Sequence, residues 1–485
     1  MEHITADRMR FTDEQNRERI FSGVNVVDKS PYSPGEQQFP YLNADVLRRF
    51  AENGWNLIRL GFTWGKIEPQ IGRYNEAYLD SVSDILDLCE EYGIYVFLDM
   101  HQDLYSPVTN GDGAPPWAAL TDGLRTNPTR YVWAEDYFWG KACHRCFDHF
   151  WANTPVQGKG LQDRFADCWV HIVHRIGGKA AVIGFDVFNE PFPGKSGGKC
   201  FRRIVTGTAR EALFGKHFKF SHLIADAISR ERERLLLNHI SYPLLRQAFA
   251  GAAPPVEAFD KTKYSPFLQK TADAIRGAGS DKLLFLENCY FSNLGIPCSV
   301  QPVLQNGSRD TQQVFAPHAY DFMVDTPAYR YASAERVDGM FAEHRRTQER
   351  LQIPVIVGEW GGFGAQDDDS WLGHIAHLLT VFDRNKWSQT YWQYSDAFFD
   401  SPLMRVFVRP YPQAVPGEIE SYRYDSIRHL FHLHFTQHKA GECVICTPFP
   451  VKRLTLDNEA AVFEQRSAQT VIHTPAGQHI LKIKF

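Results

Sequence analysis

From residue 21 to residue 393, short apolar or β-branched runs alternate with stretches in which apolar residues recur every three or four positions. That alternation is the mark of repeated strand-helix units, whose strands lie parallel and whose helices cover the sheet. Strands are predicted over 21–27, 57–62, 95–100, 182–188, 283–286, 313–316, 355–358 and 389–393. Eight such strands suggest a closed (β/α)8 TIM barrel, a fold that with insertions can exceed about 400 residues. Helices are predicted at 43–53, 76–92 and 334–352, and in the second of these Tyr78, Leu79, Val82, Ile85, Leu86 and Leu88 form one apolar stripe. Asn53-Gly54 and Tyr92-Gly93 end two of the helices with a residue suited to a left-handed cap.

Two connections, 104–160 and 192–280, are far longer than a strand-helix link needs, and long loops on this face shape substrate pockets. The first carries the turn-rich run Gly111-Asp112-Gly113-Ala114-Pro115-Pro116-Trp117. The second, over 218–249, places Leu223, Ile224, Ala227 and Ile228 ahead of the charge run Arg230 to Arg234 and then Leu235-Leu236-Leu237. An amphipathic helical pair is expected there, either packed on the barrel flank or serving as a lid or lipid-facing surface. Past Leu403 the pattern shortens to alternating runs broken by Pro410-Tyr411-Pro412, Pro448-Phe449-Pro450 and Pro475-Ala476-Gly477. The expected division is a catalytic barrel over 1–402 and an all-β sandwich over 403–485.

Composition removes several classes of function. A net charge of −5 and a pI near 6.4 provide no basic field for a phosphate backbone, so nucleic acid is not expected as a partner. No apolar stretch approaches the roughly 20 residues of a membrane span. The first 19 residues are polar and charged and do not read as a secretory signal, which gives a cytoplasmic expectation. Nine cysteines, an odd number, do not suggest a disulfide framework. The pairs Cys143/Cys146 and Cys443/Cys446 have zinc-ligand spacing, but the second lies in an alternating run that points its cysteines to opposite faces, and buried thiols are the expectation for both. No metal or cofactor is expected.

The chemistry gathers at strand ends. Phe188-Asn189-Glu190-Pro191 and Gly358-Glu359-Trp360-Gly361 each place a glutamate where an apolar run meets a turn. Two such carboxyls equip a retaining glycosidase, one to protonate the leaving oxygen and one to attack the anomeric carbon. Arg59, after Asn56-Leu57-Ile58, is a buried cation suited to hold the attacking carboxylate ionised. His101 and Asp103 end the third strand, and with Asn189 they are candidate partners for sugar hydroxyls. His318 and Tyr320 end the sixth, the first to orient the acid and the second to bond the nucleophile. Trp392 ends the eighth and is suited to stack under a sugar ring. On this reading Glu190 is the acid/base and Glu359 the nucleophile. A carbohydrate- or lipid-binding protein on an inactive barrel is the non-enzymatic alternative, although it has no need of both glutamates and Arg59.

Ile58-Arg59-Leu60, Asp99-Met100-His101, Phe188-Asn189-Glu190-Pro191, His318-Ala319-Tyr320 and Gly358-Glu359-Trp360 resemble glycoside hydrolase family 5. Within it, the run from Gly23 to Ser30, His101-Gln102-Asp103, Gly113-Ala114-Pro115, Phe192-Pro193-Gly194 and Arg409-Pro410-Tyr411-Pro412 resemble endoglycoceramidases and related glycosylceramidases. The resemblance implies a TIM barrel with a C-terminal β-sandwich, no metal, and retaining cleavage of the bond between glycan and ceramide. It also implies that Lys29, His101, Asp103 and Asn189 bind the first sugar. The implied partner is a glycolipid or small glucoside, met at a membrane or micelle surface. Endo action on a whole glycan and exo action on a single hexose of ceramide, sterol or an aryl aglycone both remain open. The segment 195–280 matches no part of that pattern.

Overall fold

In the computed structural model, residues 1–30, 39–130, 132–215, 235, 237, 239–324, 326–362 and 368–485 are described. Eight strands form the barrel: β1 (Ser22–Val27), β2 (Leu57–Thr63), β3 (Tyr95–His101), β4 (Val182–Asp186), β5 (Leu283–Leu286), β6 (Gln313–Phe315), β7 (Ile356–Trp360) and β8 (Ser388–Tyr391). They pair in parallel in the order β6-β5-β4-β3-β2-β1-β8-β7. Parallel bridges from Phe315 to Val355 and from His318 to Glu359 close the circle. All eight predicted strands are present, within two residues at each end.

The barrel interior is layered. Its floor is apolar, with Leu57, Tyr95, Phe97, Phe285, Val314 and Ile356 packed together. One inward step higher, two residues further along each strand, β2 presents Arg59 after Leu57 and β3 presents Asp99 after Phe97. In β7 the same alternation would turn Glu359 outward, since it lies three residues beyond Ile356. A shift of register between Val357 and Trp360 resets the pleat and aims Glu359 inward.

Helix Ala44–Glu52 is capped by the Asn43 side chain, which accepts from the amides of Asp45 and Val46. It ends at Gly54, whose φ of 84° suits a residue without a Cβ. The first long connection folds into helices Glu135–Trp139 and Lys141–Trp151, the second into Lys195–Phe214, Tyr242–Phe249, Ala253–Phe259 and Ser265–Gly277. Most of the helical pair expected over 218–249, including Arg230 to Arg234, lies outside the described residues. All nine cysteines are free and buried, and Cys143 and Cys146 lie within helix Lys141–Trp151. Among the described residues no helix is long and apolar enough to cross a membrane.

The C-terminal residues form two antiparallel sheets that share a core of Val415, Ile419, Phe431, Phe435, Ile445, Ile472 and Leu481. The expected boundary needs one correction. Strands Thr5–Asp7, Arg10–Thr12 and Arg17–Arg19 belong to this sandwich, where Arg17–Arg19 pairs with Tyr411–Pro416. Their charged sequence hides a structural role, because Arg17 and Arg19 both reach the buried Asp13 carboxylate, at 2.8 and 3.1 Å. From the same segment Ile4 and Phe11 plug the barrel floor, with the Phe11 ring 5.6 Å from Phe21. Phe11→Ala is expected to lower unfolding free energy in urea by about 3–5 kcal/mol, and an unchanged midpoint would contradict the plug.

Candidate active site

At the catalytic end of the barrel one buried cation organises five strands. The Arg59 guanidinium, fully buried, donates from Nε to Asp186 at 2.8 Å and from Nη1 to Glu359 and Asn25 at 2.7 and 3.1 Å. Its Nη2 reaches Glu287, Asn189 and Asp99 at 2.7, 2.9 and 3.0 Å. Four carboxyl groups from β3, β4, β7 and the end of β5 thus converge on one planar fork, a geometry that lysine could not satisfy.

The two glutamates sit in different surroundings. Glu359 accepts from Arg59 and, at 3.0 Å, from the Tyr320 hydroxyl, so both of its oxygens have donors. Glu190 meets the His318 ring at 3.1 Å and accepts from Asn293 at 2.6 Å. Burial, then the charge of Glu359, push Glu190 up to about 7, against the pull of His318. One oxygen of each glutamate and a His318 nitrogen all lie within 4.8 Å of one another.

Glu287 links the two halves. Its Oε1 accepts from Arg59 and lies 3.4 Å from His318 Nε2, and its Oε2 accepts the Glu190 backbone N–H at 2.6 Å. Glu190 has a φ of 42°, a left-handed conformation that costs a residue with a Cβ about 1–2 kcal/mol, and this hydrogen bond helps to hold it there. Against the penalty of burial, Glu287 and Glu359 raise His318 well above its ordinary range, so its ring carries charge. Burial and the neighbouring Glu287 push Asp186 far above the usual carboxylate range, against the pull of Arg59.

A second cluster borders the pair. Lys29 bonds Asp103, and its Nζ stands 4.6 Å from the centre of the Trp392 ring. His101 stacks on that ring with 5.5 Å between centroids, while its Nδ1 contacts Asp99 at 2.8 Å and its Nε2 stands 3.4 Å from Asp103. Against burial and Lys29, Asp99 and Asp103 raise His101 to about 10. Asp112 joins through its backbone and side chain to Asp103, and burial followed by the charge of Asp103 raises it to about 6.

The structure therefore brings Lys29, His101, Asp103 and Trp392 into one group, and Arg59, Asn189, Glu190, His318, Tyr320 and Glu359 into another. Asn189 faces Arg59 and the Gln102 carbonyl. Glu287, Asp186 and Asn293 escaped the sequence reading. Glu287 carried the signal that marked the other two glutamates, since it ends the apolar run Leu283-Leu284-Phe285-Leu286. Asp186 closes β4 but falls inside the apolar run predicted over 182–188, Asn293 lies in a short turn, and neither has a distinguishing pattern. Among the described residues three groups of carboxylates and histidines are close enough to hold an ion, but in each a side-chain cation already stands at the acidic groups: Arg59, Lys29 or His318.

A family model described as cellulase (glycosyl hydrolase family 5) matches residues 19–398. The chain belongs to glycosyl hydrolase family 5. Within the family it is 25% identical over 450 residues to endoglycoceramidase I of Rhodococcus hoagii, covering 90% of this chain and 78% of that protein. It is 32% identical over 215 residues to an endoglycoceramidase of Cyanea nozakii, covering 39% of this chain and 42% of the other, less than half of that relative's length. A solved structure of endo-glycoceramidase II from Rhodococcus sp., in a cellobiose-like imidazole complex, superposes with a TM-score of 0.75 over 99% of both chains at 22% identity, a likeness of fold. Membership of family 5 makes this chain a glycosidase, of a family whose members typically retain configuration.

Two outcomes follow from the site. Truncation of Glu287 to alanine leaves Arg59 and His318 short of their shared acceptor, and stability in urea should drop by about 3–5 kcal/mol; a loss below about 1 kcal/mol would contradict the shared role. Glu190 must hold a proton to act as an acid, so kcat/KM for a glycoside with a poor leaving group should fall as pH rises through about 7. An alkaline limb lying two or more pH units higher would contradict that assignment.

Proposed function

We propose that this family 5 enzyme splits the β-glycosidic bond between glycan and ceramide in glycosphingolipids by double displacement, with Glu359 as nucleophile and Glu190 as acid/base. The observation that carries the chemistry is the approach of the two glutamates within 4.8 Å, with Glu359 held by Arg59 and Tyr320 and Glu190 raised by burial. Retaining enzymes hold their carboxyls about 5–5.5 Å apart, whereas inverting ones leave about 6.5–9.5 Å for a water.

A Glu359 oxygen attacks the anomeric carbon while the Glu190 proton passes to the glycosidic oxygen, and ceramide leaves as its primary alcohol. The resulting glycosyl ester on Glu359 is cleaved by water, whose proton returns to Glu190. Arg59 and Tyr320 stabilise the carboxylate as it departs from the sugar in the second step. His318, charged and within reach of both glutamates, moderates the pKa of Glu190 as the charge on Glu359 disappears and returns.

The glycolipid assignment is supported by the Lys29, His101, Asp103 and Trp392 group beside the pair and by the likeness to endoglycoceramidases. The cationic and carboxylate groups suit the hydroxyls of the first sugar, and the indole suits its apolar face. Those relatives favour endo action. Lactosylceramide is the discriminating substrate: release of intact lactose is expected, and release of glucose or galactose alone would overturn the endo reading. Glu190→Gln should cut hydrolysis of that substrate by about 10²–10⁴-fold. Wild-type rates in both Glu190→Gln and Glu359→Gln would leave the barrel as a binding protein.

A further inference from the structure

Helix Lys195–Phe214 stands on the active-site face and has an unusual balance of residues. Lys195, Lys199, Arg202, Arg203 and Arg210 oppose the single carboxylate Glu211, in a chain whose net charge is −5. None of these five cations forms an ion pair among the described residues. Packing is satisfied on the inner side, where Gly197 and Cys200 are buried. The outer side also carries apolar groups: Val205, Leu213 and Phe214 are 50%, 64% and 83% exposed, and Trp139 on the adjoining helix is 52% exposed.

Trp139 and Phe201 bring the two helices together at 6.1 Å between rings, and Phe138 packs on Phe201 at 4.6 Å. The opposite edge of the helix opens on a cleft of about 670 Å³, where Lys199, Arg203, Lys263 and Arg145, the last paired with Asp122, outnumber the one carboxylate, Asp148, around a floor that includes Trp151 and Phe259. Both edges connect to the reaction centre. Tyr137 packs at a tilt on Phe192, two residues past Glu190, with 4.7 Å between ring centroids, and the Trp151 indole donates to the Phe192 carbonyl at 2.7 Å.

We propose that helix Lys195–Phe214, the Trp139 ledge and the basic cleft form a docking surface for a lipid bilayer bearing anionic headgroups, which holds the active site over a membrane-borne substrate. The occupant follows from charge and exposure together. Exposed aromatic and aliphatic side chains enter the interfacial layer, and the unpaired cations are drawn to negatively charged headgroups. A neutral surface would leave five cations without counter-charges. The proposal rests on the reading of the substrate as a glycolipid, and its binding measurement is independent of turnover.

The test is co-sedimentation of the full chain with vesicles of phosphatidylcholine alone or with one third phosphatidylserine. Binding is expected to the mixed vesicles, with little to the neutral ones, and should weaken as salt is raised. In a Lys199→Ser, Arg202→Ser, Arg203→Ser variant each lost charge should reduce partitioning about fivefold. Trp139→Ala with Phe214→Ala should weaken it at every salt concentration. All variants should hydrolyse a soluble aryl β-lactoside as the wild type does, which reports an intact fold, while losing rate on lactosylceramide embedded in the anionic vesicles. Equal binding to both vesicle types, or unchanged binding of the triple variant, would overturn the proposal. So would absence of vesicle binding with capture of polyglutamate, which would mark an acidic protein partner. Failure of the glycolipid reading looks different: vesicle binding intact, with no lactosylceramide cleaved in vesicles or detergent.

Discussion

The site depends on the burial of Arg59. A guanidinium with no exposed surface has to be surrounded by acceptors, and here it meets Asp99, Asp186, Glu287 and Glu359 with the amide oxygens of Asn25 and Asn189. The pairing works in both directions, because carboxyls at this depth would otherwise take up protons. Burial pushes Asp186 toward its neutral form, while Asp99, Glu287 and Glu359 lie against three basic side chains, Arg59, His318 and His101. The result is a polar layer that is fixed before any substrate arrives, which is what a low-reorganisation site requires.

Two local distortions turn that layer into a reaction site. The register shift in β7 swings Glu359 from the outer wall to the interior, and the left-handed backbone at Glu190 brings the other carboxyl over it. Neither is held by its own sequence alone. The first is fixed by Arg59 and by the bridge from Glu359 to His318, the second by the bond from its N–H to Glu287. Energy spent on strain at the site is offset in the apolar floor below it, which the N-terminal strands seal.

How much of this could be read in advance follows from what each element owes to local pattern. All eight barrel strands were legible because a parallel strand covered on both faces is a short continuous apolar run, and the helices between them keep a greasy stripe. Glu190 and Glu359 were legible because polar groups interrupt such runs only where chemistry or a turn requires it. Glu287 obeyed the same rule and was passed over for lack of a turn signal after it. The N-terminal strands escaped because Arg10, Arg17, Glu18 and Arg19 look like a solvated segment, and only the fold shows Asp13 buried beside two of those arginines. Asn293 depends wholly on tertiary placement.

The most direct measurement is to trap the first half of the reaction. A 2-deoxy-2-fluoro-β-lactosyl fluoride slows departure of the sugar from the enzyme, so the covalent species accumulates and its peptide can be located by digestion and mass spectrometry. The account predicts one label per chain, on the peptide containing Glu359. A label on the Glu190 peptide would exchange the two roles, and no label together with release of the α-anomer as first product would contradict double displacement altogether.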